Sequence, residues 1–244
     1  MNPILSVKNL NIAVKGVELV KDVSFDVMPK EIVALIGPNG AGKTTTLKAV
    51  LDLIPYEGDI SVCGNKNHSR VKHIGYVPQR FVFDKNFPLL VREFIKMTTA
   101  VSDKEIEGVL SVIDISGLLD KRIGDLSGGE LQKVMLAKAV ILHPCLILLD
   151  EATTGIDPKG VKEFAELVNK VRDEYATSIV FVSHEIDLVY RFADKVVAIN
   201  KEIISIGSPE ELLNSEKMED IYTSSHLKET NRHGHAHSIH HNHG

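Results

Sequence analysis

Residues 32–55 read IVALIGPNGAGKTTTLKAVLDLIP, and the order of apolar run, glycine loop and amphipathic stretch decides the fold. Ile32 to Ile36 is an unbroken apolar run that stops at Gly37, the pattern of a strand buried on both faces of a parallel sheet. Leu47, Val50, Leu51 and Ile54 then recur at helical spacing, and Pro55 marks the stop, so a helix running toward Pro55 is expected. Between them, Gly37, Pro38, Asn39, Gly40, Ala41, Gly42, Lys43 and Thr44 fit the pattern GxxxxGK[ST] in its required strand–loop–helix setting. Glycines let successive backbone N–H groups turn inward around a phosphate, and the following helix adds the partial positive charge of its N-terminus. In such a loop Lys43 reaches the β- and γ-phosphates, the Thr44 hydroxyl is a ligand for Mg²⁺, and Thr45 stands next to it. A glycine turn arising by chance would lack the flanking strand and helix.

Working outward, alternating apolar positions at Leu5, Val7 and Leu10, then Val23, Phe25 and Val27, read as antiparallel strands of a small N-terminal β subdomain. From Val91 to Leu142 the spacing turns helical, with Phe94, Ile95, Ile106, Val109, Leu110 and Ile113 as apolar positions. A helical insertion over about 85–142 is expected. Buried strands resume at Leu146–Leu149, Ile179–Val182 and Val196–Ile199 with helices between them, which implies a parallel α/β core. After about Asn214 the periodicity fades. The chain therefore divides into one domain over 1–214 and a polar, histidine-rich tail over 215–244.

The second piece of chemistry lies where Leu146, Ile147, Leu148 and Leu149 run into Asp150 and Glu151. Two acids at the end of a buried strand are costly unless they face a cation or a reacting group. Paired with the phosphate loop, Asp150 would hold Mg²⁺ through its water shell and Glu151 would orient and polarise an attacking water. Alone, an apolar run ending in Asp-Glu is a weak signal.

The 244 residues, 43% hydrophobic and 25% charged, describe an ordinary globular chain. The net charge of −5 argues against a surface built for duplex nucleic acid, which needs a basic excess. No basic stretch followed by an apolar core opens the chain, so no secretion signal is expected. The longest apolar run, Ala137 to Leu149, is broken by Lys138, His143 and Pro144 and falls short of the roughly 20 residues that span a bilayer. Any membrane role is expected through a partner. The two cysteines, Cys63 and Cys145, each sit in apolar surroundings, and two separate buried thiols in a reduced compartment are expected.

Leu126, Ser127, Gly128, Gly129 and Glu130 precede a helix carrying Leu131, Val134, Leu136, Ala137 and Val140. Alone this is a helix cap with an anion-binding terminus. Placed about eighty residues beyond the phosphate loop and just ahead of the Asp-Glu strand, LSGGE resembles the signature motif of ABC ATPases. The resemblance extends through most of the chain. Gln79, in YVPQR, matches the Q-loop glutamine; His184, in VFVSHE, matches the switch histidine; Gly155, Ile156 and Asp157 resemble the D-loop. The resemblance implies a phosphate-loop NTPase core of RecA-like type, with a mainly parallel sheet, the antiparallel β subdomain and an ABC-type helical subdomain. It implies ATP and Mg²⁺ as ligands, with Gln79 sensing Mg²⁺ and the γ-phosphate and His184 contacting that phosphate across from Glu151. It further implies a head-to-tail pair of copies, in which Ser127, Gly128, Gly129, Glu130 and Asp157 of one copy close on the ATP held by the other.

Two departures from the family pattern stand out. The position where the family stacks an aromatic on adenine falls near Val14, and no aromatic lies between Asn11 and Lys21. Val14 offers an apolar contact in place of stacking. Glutamine is more frequent where Glu130 stands, and proline where Ala152 stands.

The stretch YVPQRFVFDKNFPLLVREFI is similar to the version in importers of zinc and manganese, through Asp84, Phe87 and Pro88. In the tail, His226, His233, His235, His237, His240, His241 and His243 are seven of the eleven histidines, interleaved with other residues. Imidazoles on a flexible chain can share Zn²⁺ or Ni²⁺, and the same tail can equally be a solvated segment with incidental metal affinity. Two readings stand on these residues. One is an importer motor at the cytoplasmic face of the membrane, docked beneath integral-membrane permease subunits and served indirectly by an extracytoplasmic metal-binding protein. The other is a soluble ABC ATPase of translation, repair or iron–sulfur assembly, or a motor for a different small solute. The chain has neither a second nucleotide domain nor a long coiled-coil insertion, features of translation and repair types respectively.

Overall fold

The computed structural model describes residues 2–79, 88–97 and 101–213. Two sheets share the molecule. Strands β1 (Leu5–Val14), β2 (Val17–Val27), β4 (Glu57–Val62) and β5 (Asn65–Lys66) form an antiparallel sheet in the order β2-β1-β4-β5. The second sheet holds β3 (Ile32–Ile36), β6 (Ile74–Val77), β7 (Leu146–Asp150), β8 (Ser178–Val182), β9 (Lys195–Asn200) and β10 (Glu202–Gly207) in the order β10-β9-β3-β8-β7-β6. Its strands are parallel except β10, which hairpins back on β9. The expected α/β core with a mainly parallel sheet and an antiparallel N-terminal sheet is what the chain adopts.

The apolar runs are continuous because both faces of the parallel sheet are covered. Along β3, Ile32, Ala34 and Ile36 join one core with Ile147, Leu149, Ile179 and Phe181, while Val33 and Leu35 join another with Leu148, Val180 and Val182. The first core is closed by α2 (Val91–Lys96), α3 (Asp103–Ile113), α4 (Gly128–Val140) and α5 (Pro158–Tyr175), through residues such as Phe94, Leu110, Leu136 and Phe164. The second is closed by α1 (Lys43–Val50) and the antiparallel sheet, through Leu47, Val50, Leu5, Val23 and Ile60. Helices α6 (Ile186–Phe192) and α7 (Pro209–Leu213) complete the described chain.

Helix α1 stops at Val50, earlier than the spacing out to Ile54 predicts. The cause is a buried cation at its C-terminus. Arg70, fully buried, donates from Nε to the Val50 carbonyl at 2.9 Å, and from Nη2 to the Ala49 carbonyl at 2.8 Å and Asp52 Oδ1 at 3.1 Å. Asp52 turns into the left-handed region at φ 60°, and the Leu53 N–H reaches back to the Lys48 carbonyl at 2.9 Å. The last carbonyls are thereby satisfied and the helix cannot continue.

The cysteines differ from expectation. Cys63, just after β4, and Cys145, just before β7, are joined in a disulfide with a Cα–Cα separation of 6.8 Å. Periodicity places each in an apolar setting but carries no information on which strands become neighbours, so the pairing is invisible in the sequence. The bond ties the antiparallel sheet to the parallel one across 82 residues of chain. On the loop-entropy model its reduction lowers stability by about 4 kcal/mol, to be read as a fall in the denaturant midpoint. Alkylation of the unfolded, unreduced protein should label neither cysteine; labelling of both refutes the bond.

Candidate functional site

Parallel strands deliver the residues that follow them to one edge of the sheet. After β3 comes the loop Gly37–Gly42, at the end of β7 Asp150 with Glu151 directly after it, after β8 the segment Ser183–His184, and after β6 the segment Pro78–Gln79. All of these therefore lie along one carboxyl-end edge.

Within the loop, Gly42 has φ 95°, and a Cβ there would stand 2.8 Å from Val20 Cγ2 and 2.9 Å from the Leu19 carbonyl. Only glycine fits. Gly37, at φ 150°, likewise leaves no room for a Cβ against the Ile199 carbonyl. Gly40 at φ 79° completes the turn, with Pro38, Asn39 and Ala41 between. Lys43 is buried, and its Nζ donates to the Gly37 carbonyl at 2.8 Å and the Pro38 carbonyl at 2.9 Å, so the ammonium lies across its own loop. Burial lowers its pKa, with Glu151 and Asp150 acting in the opposite direction. Thr44 and Thr45 are half-buried at the start of α1, and the Thr46 hydroxyl donates to the Gly42 carbonyl at 2.9 Å.

Asp150 is 1% exposed. Its Oδ1 accepts from the Thr44 hydroxyl at 2.8 Å and its Oδ2 from the Tyr76 hydroxyl at 3.3 Å. Burial raises its carboxyl pKa, partly offset by these two hydroxyls. The same surroundings, burial first and Asp150 next, push Tyr76 up to about 12. Tyr76 escapes a motif search. Its signal is registry: it sits opposite Leu148 on the strand beside Asp150.

Glu151 adopts φ 48°, a left-handed conformation, held by its N–H to the Val182 carbonyl at 3.2 Å and its carbonyl to the Thr154 N–H at 3.1 Å. Its Oε1 meets His184 Nε2 at 2.7 Å, and its Oε2 accepts from the Gln79 amide. Thus Lys43, Thr44, Asp150, Glu151, Gln79 and His184, far apart in sequence, are joined through contacts at one edge. An oxygen-rich set of hydroxyl, carboxylate and amide suits a hard cation such as Mg²⁺, which keeps several waters and takes few protein ligands. Among the described residues, no group of three or more His, Cys, Asp and Glu could hold a metal unaided.

The other predicted half-site is separate. Ser127 caps α4, accepting from the Glu130 N–H at 3.3 Å, and Asp157 caps α5, accepting from the Lys159 and Gly160 N–H groups at 3.0 Å each. Ser127, Gly128, Gly129 and Glu130 line a cleft of about 320 Å³ together with Gly155, Ile156 and Asp157; no phosphate-loop residue lines it. Val14 lies at the end of β1 beside the Lys15–Gly16 turn, 44% exposed and paired with Val17. Pro88 borders α2, whereas Asp84 and Phe87, and the tail histidines from His226 to His243, lie outside the described residues. No helix among the described residues is long and apolar enough to cross a membrane.

Comparison with known proteins agrees with this arrangement. The model of the ABC transporter family matches residues 20–154. The zinc import ATP-binding protein ZnuC of Pasteurella multocida is 32% identical over 242 residues, 98% of this chain and 90% of that protein. ZnuC 2 of Hahella chejuensis is 40% identical over 193 residues, 79% of this chain and 77% of that protein. Among solved structures, cbiO1 of Clostridium perfringens, part of the ABC transporter complex cbiONQ, superposes with a TM-score of 0.78 at 26% identity, covering 94% of this chain and all of that one. A nucleotide-free ATP-binding cassette of an ABC transporter shares the fold, with a TM-score of 0.80 at 20% identity over 91% of this chain and 99% of that one. With more than half its length matched by the family model and its sheet edge carrying the phosphate loop and the paired acids, the chain belongs to the ABC transporter family, as an ATP-hydrolysing member.

Proposed function

We propose that the chain is the motor subunit of an importer of a divalent metal, zinc by the names of its relatives, and that it works as a pair of copies closing on ATP. The metal-import reading is supported by those names and by the likeness of the segment around Pro88 to zinc and manganese importers. The pairing is supported by one observation: the edge carrying Lys43, Thr44 and Asp150 and the cleft at Ser127–Glu130 are distinct places on the same chain. Charge developing at a γ-phosphate needs donors on the side opposite the phosphate loop. A second copy supplies them from its own Ser127, Gly128 and Gly129. Integral-membrane permease subunits then receive the closing and opening motion, placing the chain at the cytoplasmic face of the membrane.

In this reading the loop N–H groups and Lys43 hold the β- and γ-phosphates. Lys43 must leave the Gly37 and Pro38 carbonyls to do so. Thr44, Asp150 and Gln79 hold Mg²⁺, which when bound offsets phosphate charge. Gln79 and His184 turn from Glu151 toward the γ-phosphate, freeing the Glu151 carboxylate to accept a proton from the attacking water. Val14 lies against the base without stacking. The ATPase domain spans 1–214, with its helical part over about 85–142, and the histidines of 215–244 buffer or sense the transported metal.

Glu151→Gln keeps the shape and removes the base. Turnover should fall by roughly 10²–10⁴-fold while Mg-ATP still binds and draws two copies together in analytical ultracentrifugation; hydrolysis at the parental rate removes Glu151 from its assigned role. Lys43→Ala should instead weaken nucleotide binding itself by roughly ten- to a hundredfold, measured by fluorescent-nucleotide titration, and an unchanged affinity contradicts its place at the phosphates. Truncation from His233 onward should remove zinc binding seen by calorimetry without changing ATP turnover. Unchanged zinc binding eliminates the tail's role.

A further inference from the structure

The Ser127–Glu130 cleft is expected to receive a triphosphate, yet its walls carry three acids, Glu130, Asp157 and Glu163, against one base, Lys133. Lys133 and, from outside the cleft, Lys159 stand 4.0 Å and 3.7 Å from Glu163, and the Asp157 carboxylate caps α5. Glu130 is the acid on the signature motif itself. Its Oε2 accepts from the Ser127 N–H and the Ser127 hydroxyl, both at 2.9 Å, leaving Oε1 for Lys121, whose Nζ donates to it at 2.8 Å.

Lys121 is held in place for this contact. Its N–H donates to the Leu118 carbonyl at 3.0 Å, and its carbonyl accepts from the Val91 N–H at 3.0 Å. The next residue, Arg122, bridges Leu90, and the Ile123 N–H donates to the Leu89 carbonyl at 2.9 Å. The segment thus runs pinned beside the start of α2 and presents the ammonium to the mouth of α4. Glu130 responds as a fully ionised group: the Lys121 hydrogen bond, followed by the Ser127 backbone N–H, holds its carboxyl down at about 2.

We propose that Lys121 is a positioning residue for ATP-driven closure, neutralising Glu130 so that the cleft of one copy accepts the triphosphate bound by another. The inference rests on the paired reading above. Without Lys121 the incoming phosphates meet an uncompensated carboxylate at the very serine that should donate to them, and like charges in a partly dehydrated cleft repel. A plain surface ion pair, by contrast, contributes little and only to stability.

The two roles separate in the full-length Glu151→Gln protein with Mg-ATP, followed by analytical ultracentrifugation. Lys121→Gln should raise the dimer dissociation constant roughly tenfold, leave binding of a fluorescent ATP analogue to the monomer unchanged, and be rescued by Lys121→Arg. Adding Glu130→Gln to Lys121→Gln should return dimerisation to within about twofold of the parent. Parental dimerisation of Lys121→Gln, or failure of Glu130→Gln to restore it in a variant with parental melting temperature, overturns the charge-compensation role alone. If Glu151→Gln itself never dimerises with Mg-ATP, the paired reading fails, and this inference with it.

Discussion

Negative charge gathered at the end of a buried strand is the constraint that organises this molecule. Asp150 ends, and Glu151 follows, a strand buried on both faces, where an uncompensated carboxylate is costly. The Thr44 and Tyr76 hydroxyls hold Asp150, while His184 and Gln79 occupy Glu151. Burial opposes both charges, raising the carboxyl of Asp150 and lowering the ammonium of Lys43. On the proposed function, a phosphate would bring the partner for the ammonium and a hard cation the partner for the carboxylate. Such binding would relieve at the edge what the fold has set against it.

The backbone shares in this arrangement. Glu151 occupies a left-handed conformation at φ 48°, which costs a non-glycine residue about 1–3 kcal/mol. Neighbouring strand β8 fixes it through the Val182 carbonyl. The turn this creates swings the carboxylate off the strand axis toward His184. The end of α1 is fixed in the same spirit, since buried Arg70 completes the carbonyls of a helix whose other end carries Lys43 and Thr44.

Much of the fold was legible because it depends on local period. The unbroken runs Ile32–Ile36 and Leu146–Leu149 announce strands with two covered faces, and GPNGAGKT needs its glycines for reasons visible at Gly42. What escaped depends on registry between distant segments. Tyr76 reaches Asp150 only because β6 lies beside β7, and Cys63 meets Cys145 only because β4 packs near the start of β7. Lys121 meets Glu130 through a segment pinned by α2, a contact that no spacing rule encodes. Helix α1 ended early for a like reason: the cation that caps it comes from twenty residues downstream of the helix end.

The position of β3 in its sheet bears on how the chain comes to be folded at all. Both of its hydrogen-bonded neighbours, β8 and β9, are made from residues 178–200, so the strand that carries the nucleotide loop has no lateral partner until most of the polypeptide has been synthesised. At roughly 5–20 residues per second, that delay lasts on the order of ten seconds. During it, five consecutive apolar residues must be sheltered by the nascent antiparallel sheet or by a chaperone. A chain truncated before β8 lacks the partners that complete its central strand and exposes an edge prone to self-association.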